Sequence, residues 1–464
     1  MKILHYSLGL PPYRSGGLTK YSIDLMLEQL QQGHQVYLLY PGQINPLQKQ
    51  KIKKNQAYKN IQVYELINPL PVALLGGVFR PANFMEEPKV SSLYSDFFMS
   101  LKPDVIHIHT LMGIHSEFIE HARKIGIKLI FSTHDYYGIC PKVNLLDVKD
   151  EICEDFESGQ KCVSCNGNSY SKSLITVMQS HLYKNFKNSS SIKKLRALKK
   201  SNIKGVEEQQ SINDEQHIEV KKDLALAEEF QQLRNYYMNM LSMMDMVHFN
   251  SEVTKIEYEK YVNVENEIIS VTHKDIKDQR KIKKYNSDQP LQIGFLGPIE
   301  KYKGFPLLRK TLKNLLKEQE MDWHLHVYGN DRVVQLDEDR DYVSFHGRYE
   351  HEELPNIFEK IDILILPSLW KETFGFIGLE ALSNGVPTIV TTYVGFKDLV
   401  DNYNTGLVVE PNEEEIGKGI KYAIHNRDEL AVWNKNICTG TFNSIMKDHS
   451  RSLEVLYEKI VGEK

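Results

Sequence analysis

Two glutamates, Glu372 and Glu380, are separated by seven residues in LWKETFGFIGLEALSNGVP, between the aliphatic runs IDILILPS and TIV. Charge is costly at the end of a buried strand. The carboxylates therefore lie on a solvated helix face or hold something polar. Gly375 and Gly385 bracket a short helix, with Gly385 placed as its C-terminal cap. Glu372 then falls in the loop entering that helix and Glu380 in its body. Free amides near Phe374, Gly375 and Phe376 suit an anion such as phosphate, and a glutamate beyond them can accept hydrogen bonds from sugar hydroxyls.

A second kind of chemistry sits earlier in the chain. Four of the five cysteines, Cys140, Cys153, Cys162 and Cys165, follow the spacing Cys-x12-Cys-x8-Cys-x2-Cys. The last two have zinc-knuckle spacing, and four thiolates satisfy a tetrahedral structural site. Reduced thiols or a redox pair remain the alternative. The turn PPYRSGGLTKYSIDL places Gly16 and Gly17 where backbone amides approach an anion at a helix start. His107 and His109 in VIHIHT share a strand face and are expected to line a cleft, with His109 nearer the strand end.

These residues need a scaffold. KILHYS, HQVYLLYP, DVIHIHT, KLIFSTHD and MVHFNS read as apolar strands separated by helices. So do LQIGFLG, WHLHVYG, YVSFHG, DILILPS, PTIVTT and GLVVE further on. Near-continuous apolar strands of this kind indicate parallel sheets covered on both faces. The expected division is residues 1–272, with an insertion at about 141–245, then 273–440, then a helical segment 441–464 returning to the first domain. Ligands of such α/β domains bind at the carboxyl ends of the strands.

Composition narrows the class. A chain of 464 residues suits two or three domains. Lys+Arg 57 against Asp+Glu 61 gives a net charge of −4, which argues against nucleic-acid binding. The opening MKILHYSLGLPP is too short an apolar run for a signal peptide, and no stretch nears the roughly 20 apolar residues that span a bilayer. A cytoplasmic protein is expected, which favours metal over disulfide for the clustered cysteines. Between His181 and Lys204 there are eight Lys/Arg and no acidic residue. That run suits an anionic membrane surface, or a solvated helix paired with the acidic run after it.

From Ser368 to Pro387, the order Ser, Trp370, Glu372, Phe374-Gly375, Glu380-Ala381, Gly385 and Pro387 resembles the E-x7-E signature of retaining family 4 glycosyltransferases. Gly297 and Lys303-Gly304, in GFLGPIEKYKGFPLL, resemble the segment opening that family's second domain, except that Pro298 stands where an arginine is usual. Arg14 and Arg348 are candidates to replace that charge. His134-Asp135, in FSTHDYYGICP, resembles the segment bordering the family's donor sugar. The likeness runs from Gly16 to about Gly406, with the insertion its least family-like part.

The resemblance implies a GT-B fold, two Rossmann-like domains across a cleft, and a retaining transfer of sugar from a nucleoside diphosphate sugar to a hydroxyl acceptor. The acceptor would be a glycan, a lipid-linked saccharide or another hydroxyl compound. Lys303 would act as a point charge on the diphosphate, Glu380 would hold the ribose, Glu372 the donor sugar and His134 a sugar hydroxyl, with Asp135 orienting acceptor or loop. Gly16, Gly17 and Gly297 would complete the donor site. No catalytic metal is expected, even with zinc on the cysteines. An epimerase or phosphorylase of the same architecture, or a non-catalytic nucleotide-sugar-binding protein, is the alternative.

Overall fold

The computed structural model describes residues 1–73, 77–180, 183, 223–329, 341–441 and 445–462. The first sheet has the order β3-β4-β2-β1-β5-β6-β7-β8. Its strands are β1 (Lys2–Tyr6), β2 (Gln35–Pro41), β3 (Lys51–Lys54), β4 (Gln62–Ile67), β5 (Val105–Ile108), β6 (Lys128–Ser132), β7 (Met246–Phe249) and β8 (Asn266–Ile268). The second sheet, of order β11-β10-β9-β12-β13-β14, holds β9 (Leu291–Leu296), β10 (Trp323–Tyr328), β11 (Val343–Gly347), β12 (Ile363–Leu366), β13 (Thr388–Thr391) and β14 (Gly406–Val409).

The pairings are parallel apart from β3 with β4. Central strands such as VIHI and ILIL are buried at every position, as expected where helices cover both faces. β3, β4 and β8 are not among the strands that the sequence suggests. β3 reads KIKK and has no apolar alternation, yet it closes an exposed edge, where lysines discourage further pairing.

Five helices position the site: α1 (Gly17–Gln31), α2 (Glu252–Glu259), α3 (Phe305–Lys317), α4 (Phe376–Ser383) and α5 (Met446–Gly462). α3 buries Phe305, Leu308, Thr311, Leu312 and Leu315, the one-sided spacing of an amphipathic helix. α5 packs against α1 of the first sheet's domain: the Tyr21 hydroxyl meets His449 Nε2 at 2.7 Å, and Gln29 Nε2 donates to the Tyr457 hydroxyl at 3.1 Å. One apolar cluster joins the two halves, uniting Ile3, Tyr21 and Val105 with Leu364, Leu379, Leu453 and Tyr457.

The insertion contributes helices over Gln160–Cys165, Lys172–Met178 and Leu224–Ser242. The basic run, Tyr183 apart, and the acidic run before 223 lie outside the described residues. Among the described residues no helix is long and apolar enough to cross a membrane.

Candidate active site

β12 is followed by Pro367-Ser368, and the loop to α4 carries Glu372. Its amide donates to Tyr393 O at 2.9 Å, and its carbonyl accepts from Gly395 N at 3.0 Å, so the backbone under this carboxylate is fixed on both sides. Lys303 Nζ lies 2.7 Å from Glu372 Oε1, Ser368 Oγ donates to Oε2 at 2.9 Å, and the ammonium sits 5.3 Å from the Trp370 ring centroid. The ammonium is thereby aimed beside the start of α4, whose first amides lack helical partners. Gly375 caps that start at φ 98°, a conformation that favours glycine.

Gly304 holds Lys303 in place. It sits at φ 77°, and a Cβ there would come 1.7 Å from Pro367 O, so the loop bearing Lys303 and the strand end bearing Ser368 touch backbone to backbone. Gly304→Ala is expected to lose about 2 kcal/mol from the left-handed backbone and the forced separation. A thermal melt should read this as a Tm drop of roughly 4–8 °C.

Glu380, in the second turn of α4, is met by two histidines from elsewhere: His273 Nε2 at 3.3 Å and His351 Nδ1 at 3.4 Å, both on Oε1. His273 follows the first sheet, and its Nδ1 lies 3.1 Å from Lys20 Nζ on α1, which also pairs with Asp275. A cavity of about 250 Å³ opens beside Glu380, lined in part by Asp275, His351, Ser383 and Asn384. A larger one, about 720 Å³, lies near Glu252, Lys397 and His449 and touches none of the residues singled out in the sequence.

The two halves meet here. Thr373 Oγ1 donates to His134 O at 3.3 Å, and Ser251 Oγ at the head of α2 donates to Thr373 O at 2.8 Å. A Cβ on Gly17 would touch the Phe376 ring at 3.6 Å, so the first glycine turn faces the start of α4. Phe374 is buried and stacks edge-on to Phe376 at 5.6 Å. Gly16 precedes α1 as its cap, and Gly297 directly follows β9 with its amide on Tyr328 O at 3.0 Å. Lys303, Glu372, Glu380, His134, Gly17, Phe374, Gly375 and Phe376 thus converge on one region.

His134 is half-buried, and desolvation lowers its pKa to about 3, so its ring is neutral. Asp135 is pushed up to about 6 by burial, partly offset by the Tyr137 amide that its Oδ1 accepts at 2.8 Å. Its carboxylate thus shapes the loop after β6. His107 and His109 do not line the cleft: both are sealed under the strand ends, at 0% and 1% exposure. Side chains two apart do share a face, but that face is covered by α1 and α5. Arg14 is also buried, and among the described residues its Nε and Nη2 have no partner, whereas Arg348 is exposed.

The cysteines line one void of about 20 Å³ together with Lys142, Lys161 and Arg234. Tetrahedral zinc brings its sulfurs within roughly 3.8 Å of one another. The described triads of ligand atoms within 4.8 Å are instead His5, His107, His109 and His273, Asp275, His351, and no three cysteines form one. Burial pushes the Cys162 thiol up to about 12 and Cys165 to about 11. The expected zinc site is therefore not supported: the four side chains line one void, but no three of their sulfurs come within reach of a single ion. The sequence reading also missed His273, His351 and Lys20, and it named Ser368 only as part of the signature, without its bond to Glu372. Only His273, a histidine in a linker beside two charged residues, gave any signal.

Two family models match, one in each half: Glycosyltransferase Family 4 over residues 15–149 and Glycosyl transferases group 1 over residues 275–438. An uncharacterized 41.2 kDa protein in the cps region of Klebsiella pneumoniae is 28% identical over 161 residues, 33% of this chain and 42% of that protein. The lipopolysaccharide core biosynthesis mannosyltransferase LpsB of Rhizobium meliloti is 27% identical over 125 residues, 26% of this chain and 35% of that one. The chain thus spans less than half the length of these relatives.

Among solved structures, sucrose-phosphate synthase from Thermosynechococcus elongatus superposes with a TM-score of 0.55 at 13% identity, over 100% of both chains. HepE of Anabaena in complex with UDP gives 0.56 at 13% identity, over 99% of this chain and 100% of that one. Likeness at that identity shows the fold, GT-B. With a matching family model in each half, the chain belongs to the GT-B glycosyltransferases of the group 1 and family 4 type.

Proposed function

We propose that the protein is a retaining glycosyltransferase that moves a sugar from a nucleoside diphosphate sugar to a hydroxyl acceptor in glycan or glycoconjugate synthesis. The observation that carries this reading is the Lys303–Glu372 pair at the start of α4, with Glu380 a short way along the same helix. When the bond from the anomeric carbon to the diphosphate oxygen breaks, negative charge grows on that oxygen. Lys303 and the first amides of α4 would receive it. Glu372 accepts from donor-sugar hydroxyls, Glu380 from the ribose diol, and His134 meets the sugar from the other half. Gly16, Gly17 and Gly297 let backbone approach the phosphates.

In this reading the charge on the leaving group is met by protein groups, so the transfer needs no cation of its own. Relatives support the donor class: one HepE structure is described as in complex with UDP-glucose, and LpsB is named a lipopolysaccharide core mannosyltransferase. A thermal-shift panel of nucleoside diphosphate sugars tests the reading, because a true donor stabilises the folded state by linkage. If no member raises Tm and none is turned over, the reading fails.

Glu380→Gln carries its own expectation. It weakens the charged acceptor for two hydroxyls, a loss of about 1.5–3 kcal/mol. Donor binding should weaken roughly 10- to 100-fold, with kcat largely kept. Titration calorimetry with the donor's nucleoside diphosphate reads this directly.

A further inference from the structure

A run of hydrogen bonds beneath the first sheet's strand ends connects a backbone carbonyl to His134. It starts at Ile269 O, which can only accept, so His248 Nε2, 2.7 Å away, carries a proton and donates. His248 is neutral, since burial lowers its pKa to about 4. Its Nδ1 is then a bare lone pair, and the Ser132 hydroxyl at 2.6 Å must donate to it. Ser132 has spent its only proton and accepts from His107 Nε2 at 2.7 Å. His107, held neutral by burial, takes the Tyr457 hydroxyl proton on Nδ1 at 2.6 Å.

The same logic carries on. The Tyr457 oxygen accepts from the Gln29 amide nitrogen at 3.1 Å. This fixes which way the amide points, normally a matter of choice. Gln29 Oε1 accepts from His5 Nε2 at 2.7 Å. His5 Nδ1 accepts from His109 Nε2 at 2.9 Å, and His109 Nδ1 accepts from His134 Nε2 at 3.3 Å. With every imidazole neutral, one placement of protons satisfies the whole run. It leaves His134 with its proton on Nε2 and its lone pair on Nδ1. Among the described residues no group takes that Nδ1, and it is not sealed from solvent.

We propose that this relay fixes the tautomer of His134, so that its Nδ1 meets ligand as a hydrogen-bond acceptor, and that Gln29 and Tyr457 are positioning residues for it. A bare imidazole nitrogen selects a hydroxyl, which has a proton to give, and disfavours a phosphate oxygen or a carboxylate, which has none. That the hydroxyl belongs to a donor sugar rests on the function proposed above; the tautomer does not. The C-terminal helix thus takes part in the site through Tyr457. A rival use of His5, His107 and His109 as a metal triad would need three lone pairs, and the relay already employs each ring's Nδ1 as an acceptor.

The test is long-range ¹H–¹⁵N correlation of the imidazoles in the full chain without substrate, with His134→Asn assigning the signal. The expected wild-type spectrum shows His134 as a single Nε2–H form. Tyr457→Phe frees the Gln29 amide to turn over, so a second His134 tautomer should appear, and Gln29→Met should do the same if Tyr457→Phe does not fold. His134 in the Nδ1–H form, one unchanged tautomer in a folded variant, or zinc-shifted His5 and His109 signals would overturn the relay. Since no sugar nucleotide is present, this result is independent of the donor panel.

Discussion

Lys303→Ala is expected to lower kcat by about 10²- to 10³-fold, the usual cost of removing one preorganised group that stabilises charge in the transition state. The fold should hardly notice. Lys303 and Glu372 are 21% and 15% exposed, and Ser368 still holds the carboxylate after the lysine is gone. The stability loss should therefore stay below the roughly 3 kcal/mol of a broken, fully buried pair. The effect on catalysis should be large because Pro298 stands where the resembling family places an arginine, so that position offers no second charge to take over from Lys303. In the free protein Glu372 pairs with the ammonium, and in the proposed reaction a diphosphate would have to draw it away. Lys303→Arg keeps the charge but changes its shape and reach, and should recover only part of the rate. Steady-state kinetics decide the matter. A variant with unchanged kcat and a raised KM would mean that the lysine grips ground state and transition state alike, and the leaving-group role would be lost.

The sequence carried the fold because β1, β5, β6, β9 and β12 are apolar nearly throughout, a pattern that buried parallel strands produce and little else does. It did not carry β3, whose lysines are chosen for an edge and not for a core. In the site, neighbours along the chain were readable: Glu372, Gly375 and Glu380 lie on one loop and one helix, so spacing alone relates them. Neighbours across the fold were not. His273 and His351 reach Glu380 from a linker and from the segment after β11, and the charged neighbours of His273 are a signal too weak to name a carboxylate partner. The histidines of VIHIHT misled for a related reason. Alternation fixed their common face, but only the packing of α1 and α5 decides whether that face meets ligand or core. For the cysteines, spacing brought the four to one void but could not report the distances that keep any three sulfurs from sharing one ion.

Lys371→Met, by contrast, should cost stability. The ammonium lies 2.6 Å from Glu257 Oε1 on α2 and 3.0 Å from Glu154 in the insertion, while Lys260 lies 2.8 Å from Glu257 and 3.0 Å from Glu154. The four charges tie the loop bearing Glu372 to the other half of the molecule. Lys371 and Glu257 are only 10% and 6% exposed, whereas Glu154 is 61% exposed. Removing the lysine leaves a buried carboxylate with one cation in place of two. The expected loss is about 3 kcal/mol, the lower end for a broken buried pair because Lys260 remains. Glu154→Ala removes an exposed partner and should cost less than about 1 kcal/mol. Glu257→Gln combined with Lys371→Met should lose clearly less than the two single losses added, since neither charge is then left alone. Because residue 371 abuts Glu372, Lys371→Met should also weaken donor binding, whereas Glu154→Ala should not. Melting curves on the four variants measure the cycle. Equal losses for Lys371→Met and Glu154→Ala would show that the buried contact with Glu257 is not what holds the two halves at the cleft.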